Sequence, residues 1–306
     1  MATSLRFGPS GAFTVAQFTD LHWQNGAPED LRTSALVGAV LDAERPDLAV
    51  FSGDVIAGRP CRDPVASLRS ALEPAIVRGL PWALVFGNHD DEGTAGRAEL
   101  LAALLEWPGC LVQPGPPELP GAGHYRIVVR AASGRAPAAT LYFLDSLGYA
   151  PPDVGGYAWF QAEQIRWFRA LPRDPSVPAL AFFHIPLPEY AEVWATRTCR
   201  GVRHEAVCCP RINSGMFLAM RDAGDVVAMS VGHDHVNDYE GELHGLRLCY
   251  GRATGFHTYG RDGMERGARL FRFREGWRGV ETWLRLEGGE VVAQQPEHAP
   301  GDPDPA

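Results

Sequence analysis

The 306-residue chain predicts an α/β fold, and three observations carry that reading. Apolar runs rich in Val, Phe and Leu alternate with stretches of helical composition through the first half, the pattern of βαβ units. Three of those runs end on a polar residue, Asp20, Asp54 and Asn88, spaced 34 residues apart each time, about one unit per step. A composition of 45% hydrophobic and 21% charged residues is that of a globular chain with a large core.

In chain order, FTVAQFTD (13–20) reads as a strand, EDLRTSALVGAVLDAER (29–45) as a helix and DLAVFSGD (47–54) as the next strand. A helix over about 64–78 and the strand WALVFGN (82–88) repeat the unit. The Pro/Gly-rich stretch QPGPPELPGAGH (113–124) then breaks the alternation as a loop. The strands YRIVV (125–129) and TLYFLD (140–145) follow, with a helix near 160–170. PALAFFHIP (178–186) reads as a buried strand ending on His-Ile-Pro, and DVVAMSVGHDH (225–235) as one ending on His-Asp-His. From there to about 285 the chain reads as β-hairpins. The expected organisation is one domain over residues 1–290, with residues 291–306 a disordered tail whose Pro, Gly and acidic content cannot build a core.

A formal net charge of -9 gives no basis for non-specific nucleic-acid binding, because that affinity depends on Lys and Arg displacing counterions. The first residues, MATSLRFGPSGAFTVAQF, hold no continuous apolar run behind a basic start, so neither a signal peptide nor a membrane span is expected and a cytoplasmic setting follows. Six scattered cysteines (Cys61, Cys110, Cys199, Cys208, Cys209 and Cys249) suit reduced thiols better than a disulfide framework. Cys199, His204, Cys208 and Cys209 match no common zinc spacing.

Right-handed crossovers return parallel strands in one direction, so Asp20, Asp54 and Asn88 should share the carboxyl edge of a sheet, where open α/β sheets bind ligands. His184 and the pair His233/His235 also follow apolar strands directly. Five strands are thus expected to deliver Asp20, His22, Asp54, Asn88, His184, His233 and His235 to one rim. Carboxylate, carboxamide and imidazole donors suit transition cations such as Mn, Fe or Zn. There are more donors than one ion takes, which points to a two-metal site with one carboxylate shared. Asp-x-His alone arises often by chance, SGDV alone is as readily a turn, and a lone His184 is more often a hydrogen-bonded core histidine. All five motifs occur in order, each behind a strand, which chance and local turns do not explain.

Asp20/His22, Gly53-Asp54, Gly87-Asn88-His89-Asp90, His184 and Gly232-His233-Asp234-His235 together resemble the ordered blocks of the calcineurin-like metallophosphoesterases. The stretches FHIPLPEY, NSGMF, GHDHVNDY and LCYGRATG resemble the branch of small purple-acid-phosphatase-like proteins of plants and related fungal phosphatases. The Tyr that gives true purple acid phosphatases their colour has no counterpart, since His22 stands there, so no purple colour is expected. The resemblance implies two sheets packed face to face with helices outside. It also implies that Asp20, His22, Asp54 and His235 hold a first metal and that Asp54, Asn88, His184 and His233 hold a second, with Asp54 bridging. His89 would lie beside the leaving group, with Asp90 orienting its ring.

The function so implied is hydrolysis of a phosphoester, monoester or broader, by a hydroxide shared between two divalent or trivalent cations. His89 would protonate the departing alkoxide. The same metals serve a phosphodiesterase acting on a nucleotide or lipid-type diester, and the alternative of another class is a metal-binding scaffold without catalysis. His204, Asn213, Arg252, His257 and Tyr259 lie in loops beside the motifs and are candidate substrate contacts. Trp23 and the loop DSLGYAPPDVGGY (145–157) are candidate pocket walls.

Overall fold

The computed structural model describes residues 4–303. β1 (Ala12–Phe18), β2 (Leu48–Ser52) and β3 (Trp82–Val85) run parallel, joined by α1 (Pro28–Glu44) and α2 (Pro64–Ile76). Each helix starts where the chain supplies a first-turn proline and an aspartate: Asp30 accepts the Gly26 and Ala27 N–H groups before α1, and Asp63 accepts Ala66 N–H at the start of α2. α1 stops at Arg45, held left-handed at φ 46°.

α3 (Arg97–Leu104) follows, then the antiparallel pair β4 (Tyr125–Arg130) and β5 (Pro137–Phe143), α4 (Ala162–Ala170) and β6 (Ala179–Phe182). α5 (Glu189–Thr196), β7 (Cys199–Arg200), α6 (Met216–Ala223) and β8 (Val226–Val231) lead to the hairpin β9 (Glu240–Leu243) and β10 (Leu246–Tyr250). A second hairpin, β11 (Gly267–Arg274) and β12 (Glu281–Leu286), precedes the short β13 (Val291–Val292) and β14 (Glu297–His298).

The strands form two sheets. One has the order β13-β12-β11-β1-β2-β3 and the other β14-β7-β9-β10-β8-β6-β5-β4. Side chains alternate along the central strands of the second sheet. Leu141, Phe143, Leu180, Phe182 and Cys249 join the core shared with β1, β2 and β3, while Tyr142, Ala181, Phe183, Met229 and Tyr250 pack outward with Phe168, Tyr190, Trp194 and Met220 from α4, α5 and α6. The result is two mixed sheets face to face, flanked by helices.

Two expectations need correction. Residues 291–306 were expected as a disordered tail, yet β13 pairs with β12 and β14 pairs with β7, while His298 stacks on Trp194 at 3.9 Å between ring centroids. Residues 304–306 of that tail lie outside the described residues. The short helices α3, α5 and α6 replace stretches the sequence left without an element. In eight-residue segments of this kind, packing rather than helical period decides the conformation.

Candidate metal centre

The parallel register levels the strand ends. Phe18 is opposite Phe51, Ser52 opposite Val85, and Phe182 opposite Ser230, so the residues that follow β1, β2, β3, β6 and β8 leave at similar heights. Those from β1, β2 and β3 belong to one sheet and those from β6 and β8 to the other; the rim is therefore a seam between two sheets. The seam is stitched by hydrogen bonds from one sheet to the other. His233 N–H donates to the Asp20 carboxylate at 3.1 Å, and His184 Nδ1 lies 2.9 Å from the Ser52 carbonyl. A carbonyl only accepts, so Nδ1 of His184 carries the hydrogen and Nε2 is left toward the seam.

The backbone here is bent in a way that non-glycine residues seldom adopt. Asp20, His22, Asp54 and His233 have φ of 56°, 48°, 49° and 78°. Such conformations cost roughly 1–3 kcal/mol each and persist where the surroundings hold them, most often at functional sites. Space is equally constrained. A Cβ on Gly87 would strike the Asp54 carboxylate, and one on Gly232 would strike Thr19 and Asp20.

Two buried donor groups result, Asp20/His22/His235 and Asp54/His184/His233, each with ligand atoms within 4.8 Å of one another. Asp54 lies between them, with Oδ2 3.0 Å from His184 Nε2 and 3.6 Å from His22 Nε2. His22 and His235 bring their Nε2 atoms to 3.3 Å. Asn88 Oδ1 and His233 Nε2 are buried without a hydrogen-bond partner, and Asp54 Oδ2 and His184 Nε2 face each other. Leaving the Asn88 and His233 atoms unpaired costs about 1–3 kcal/mol apiece, a cost that a bound cation would remove. The donor set, oxygen and imidazole nitrogen without thiolate, fits two transition cations.

The charges agree with that fit. Burial alone would raise Asp20, but His235 and His184 bring its carboxyl down to about 2. Asp54, raised by burial, is held well below the usual range by His184 and His22. Burial lowers His22 to about 4 and His233 to about 3, which leaves both rings neutral near pH 7. His184 rises to about 9 against its burial because of the Asp54 charge. Ionised carboxylate and neutral imidazole are the cation-binding forms, and a cation at His184 would replace a proton.

Around this centre the structure places the remaining expected residues differently. His89 is beside the donors, its ring 5.2 Å from that of His22 and its side chain 37% exposed, and its N–H donates to Asp54 Oδ1 at 2.8 Å. Asp90 does not reach the His89 ring: it is buried and accepts the N–H groups of Asp54, Ile56 and Gly87. The partner of His89 Nδ1 is Glu92 Oε2, at 2.9 Å. Arg252 is buried against Asp238 and the Glu265 carbonyl, His257 faces Glu29 and Asp30, and Asn213 donates to Glu189 Oε1. His204 lines a separate cavity with Asp238 and Arg261. The partners of Arg252, His257 and Asn213 are thus residues other than the donors. Tyr259 stands at the donors, with its ring 4.2 Å from that of His235. Trp23 is a core residue, while Tyr157, from the expected wall loop, meets His233 edge-on at 4.3 Å.

Sequence reasoning missed Glu92, Arg97 and Asp234. Glu92 was visible only as an acidic residue three positions beyond His89. Arg97 donates to the Gly87 carbonyl at 2.7 Å and pairs with buried Asp145. Asp234, between two donor histidines, accepts from Tyr250 Oη at 2.6 Å and so anchors their loop to β10.

Two face-to-face sheets with a paired nitrogen/oxygen donor set at their seam define the class of dinuclear metallohydrolase folds. Residues 13–237 match the family described as "Calcineurin-like phosphoesterase", and the chain belongs to that family. It is 37% identical to "Probable inactive purple acid phosphatase 29" of Arabidopsis thaliana, over 92% of this chain and 84% of that one. It is 34% identical to "Phosphatase DCR2" of Saccharomyces cerevisiae, over 94% of this chain and 56% of that one. In fold it is similar to a dimetal phosphatase from Danio rerio (TM-score 0.57, 16% identity, 88% and 98% of the two chains). The yellow lupin purple acid phosphatase PPD1 is similar too (TM-score 0.58, 13% identity, 95% and 54%).

Proposed function

We propose that this chain is a dinuclear metal-dependent phosphoester hydrolase, acting on monoesters in preference to diesters. The observation that carries the reading is the buried donor set of Asp54, Asn88, His184 and His233, in which Asn88 Oδ1 and His233 Nε2 have no partner, beside a partly exposed His89. Asp20, His22, Asp54 and His235 would hold one cation, and Asp54, Asn88, His184 and His233 the other. Bound there, two such cations would neutralise phosphoryl oxygens and lower the pKa of a water molecule. His89 is set to give a proton to the departing oxygen. The Glu92 carboxylate, 2.9 Å from His89 Nδ1, favours the protonated ring that the role requires.

The preference for monoesters is supported by the likeness to proteins named phosphatases. The word inactive in the names of some relatives makes a metal-binding scaffold the rival. A cytoplasmic setting is part of the proposal, supported by six unpaired thiols. The test is hydrolysis of p-nitrophenyl phosphate and bis-p-nitrophenyl phosphate side by side after reconstitution with Mn²⁺. Chelator-sensitive turnover, faster on the monoester, is expected. Faster diester turnover would reverse the preference, and two bound Mn²⁺ with no turnover of either ester would establish the scaffold.

A further inference from the structure

Glu92, Tyr149 and Asn88 form one chain of hydrogen bonds whose directions can be deduced. Glu92 is a carboxylate and only accepts, so Tyr149 Oη donates to its Oε1, at 2.8 Å. With its one hydrogen committed, Tyr149 Oη can only accept from Asn88, whose Nδ2 lies 3.2 Å away. This settles which way the Asn88 amide faces. Nδ2 is turned to Tyr149, and Oδ1 is left buried and unpartnered, in the form that binds a cation. At the other end of the chain, Glu92 Oε2 meets His89 Nδ1 at 2.9 Å.

The segment carrying Tyr149 is held in place. Ala150 N–H donates to the Gly156 carbonyl, and Ala158 N–H to the Gly148 carbonyl, at 3.0 and 2.9 Å, closing the loop on itself. Tyr149 and Tyr157 stack with ring centroids 5.9 Å apart. At the foot of the loop, Asp145 accepts the Leu147 and Ala122 N–H groups and pairs with Arg97. Tyr149 is 53% exposed, yet its hydroxyl is held between Asn88 and Glu92.

We propose that Tyr149 is a positioning residue for both halves of the site: its hydroxyl turns the Asn88 carbonyl toward the second cation position and steadies Glu92 against Nδ1 of His89, leaving Nε2 for the leaving group. A hydrogen bond contributes about 0.5–1.5 kcal/mol net, or roughly 2- to 13-fold in an equilibrium constant. Tyr149→Phe keeps the ring and its stacking and removes only the hydroxyl.

The test has two arms, of which the second rests on the phosphoester reading. In the first, calorimetric titration with Mn²⁺ alone is expected to show two sites in the native protein, with Tyr149→Phe weakening one about 3- to 10-fold and sparing the other. In the second, kcat for an alkyl phosphate should fall several-fold more than kcat for p-nitrophenyl phosphate in Tyr149→Phe and in Glu92→Gln, with KM little changed. Unchanged Mn²⁺ affinities in Tyr149→Phe, or equal losses at both sites, would overturn the cation half. Equal kcat losses for the two leaving groups would overturn the His89 half. If Tyr149→Phe weakens one Mn²⁺ site while the native protein hydrolyses neither ester, the phosphoester reading fails and the Asn88 positioning stands. If the native protein is active and the variant matches it in both arms, the positioning role fails alone.

Discussion

Asp90 and His89 are neighbours with separate work, and substitution should separate them. His89→Ala is expected to keep both cations and the fold. Its kcat on an alkyl phosphate should fall about 10²- to 10⁴-fold, the range of general acid catalysis, and by less on a p-nitrophenyl ester, whose leaving group needs little protonation. Loss of Mn²⁺ on dialysis would instead make His89 a ligand. Asp90→Asn should behave differently. The carboxylate accepts three backbone N–H groups, from Asp54, Ile56 and Gly87, whereas an amide has one oxygen and must turn its NH₂ toward at least one of those donors. The expected result is weaker Mn²⁺ binding and a stability loss of about 1–3 kcal/mol by urea titration, equal for both leaving groups in any residual turnover. At this scale the donors were legible because each follows an apolar strand in a recognisable motif. The role of Asp90 was not, since Asp90 and Glu92 are both acidic residues just after His89 and only the turn geometry decides which carboxylate meets the ring.

The strands that carry the donors were legible as elements, because apolar runs with polar ends mark both a strand and its boundary. Their distribution over two sheets was not legible from the alternation itself, which is the same for five parallel strands in one sheet; the motif resemblance supplied it. The C-terminal edge is the clearest failure. Its composition reads as solvated chain, but β14 gains its place from backbone pairing with β7 and from the stack of His298 on Trp194, both set by residues about a hundred positions earlier. A variant lacking residues 294–306 should therefore unfold at a lower temperature, by about 2 °C or more, since an aromatic pair contributes about 0.5–1.5 kcal/mol beyond its buried area. His298→Ala should reproduce part of the shift. An unchanged melting temperature in both variants would return this segment to the role of a passive tail.

On the scale of the whole molecule, a donor set at the seam makes cation binding a clamp between two sheets, while the thiols contribute no clamp of their own. Cations bound only by the folded chain stabilise it by about 2.7 kcal/mol at a free concentration one hundred times the dissociation constant. A chelator should accordingly lower the melting temperature of Mn²⁺-loaded protein by several degrees, and dithiothreitol should leave it unchanged, because all six cysteines are free. The thiols offer an independent check. Burial raises all six above their ordinary value of 9.0, with Cys110 at about 11 and Cys199, Cys208 and Cys249 at about 12. A raised thiol pKa means less thiolate at any given pH, and thiolate is the nucleophile. At pH 8 iodoacetamide should thus label the native protein far more slowly than the urea-unfolded chain, in which all six react. Native labelling should go on rising above about pH 10, where an ordinary thiol has levelled off. Rapid labelling of native protein at pH 8 would mean that the thiols are exposed, whereas a fall in melting temperature on reduction would mean that some are paired, and the cytoplasmic proposal would lose its support.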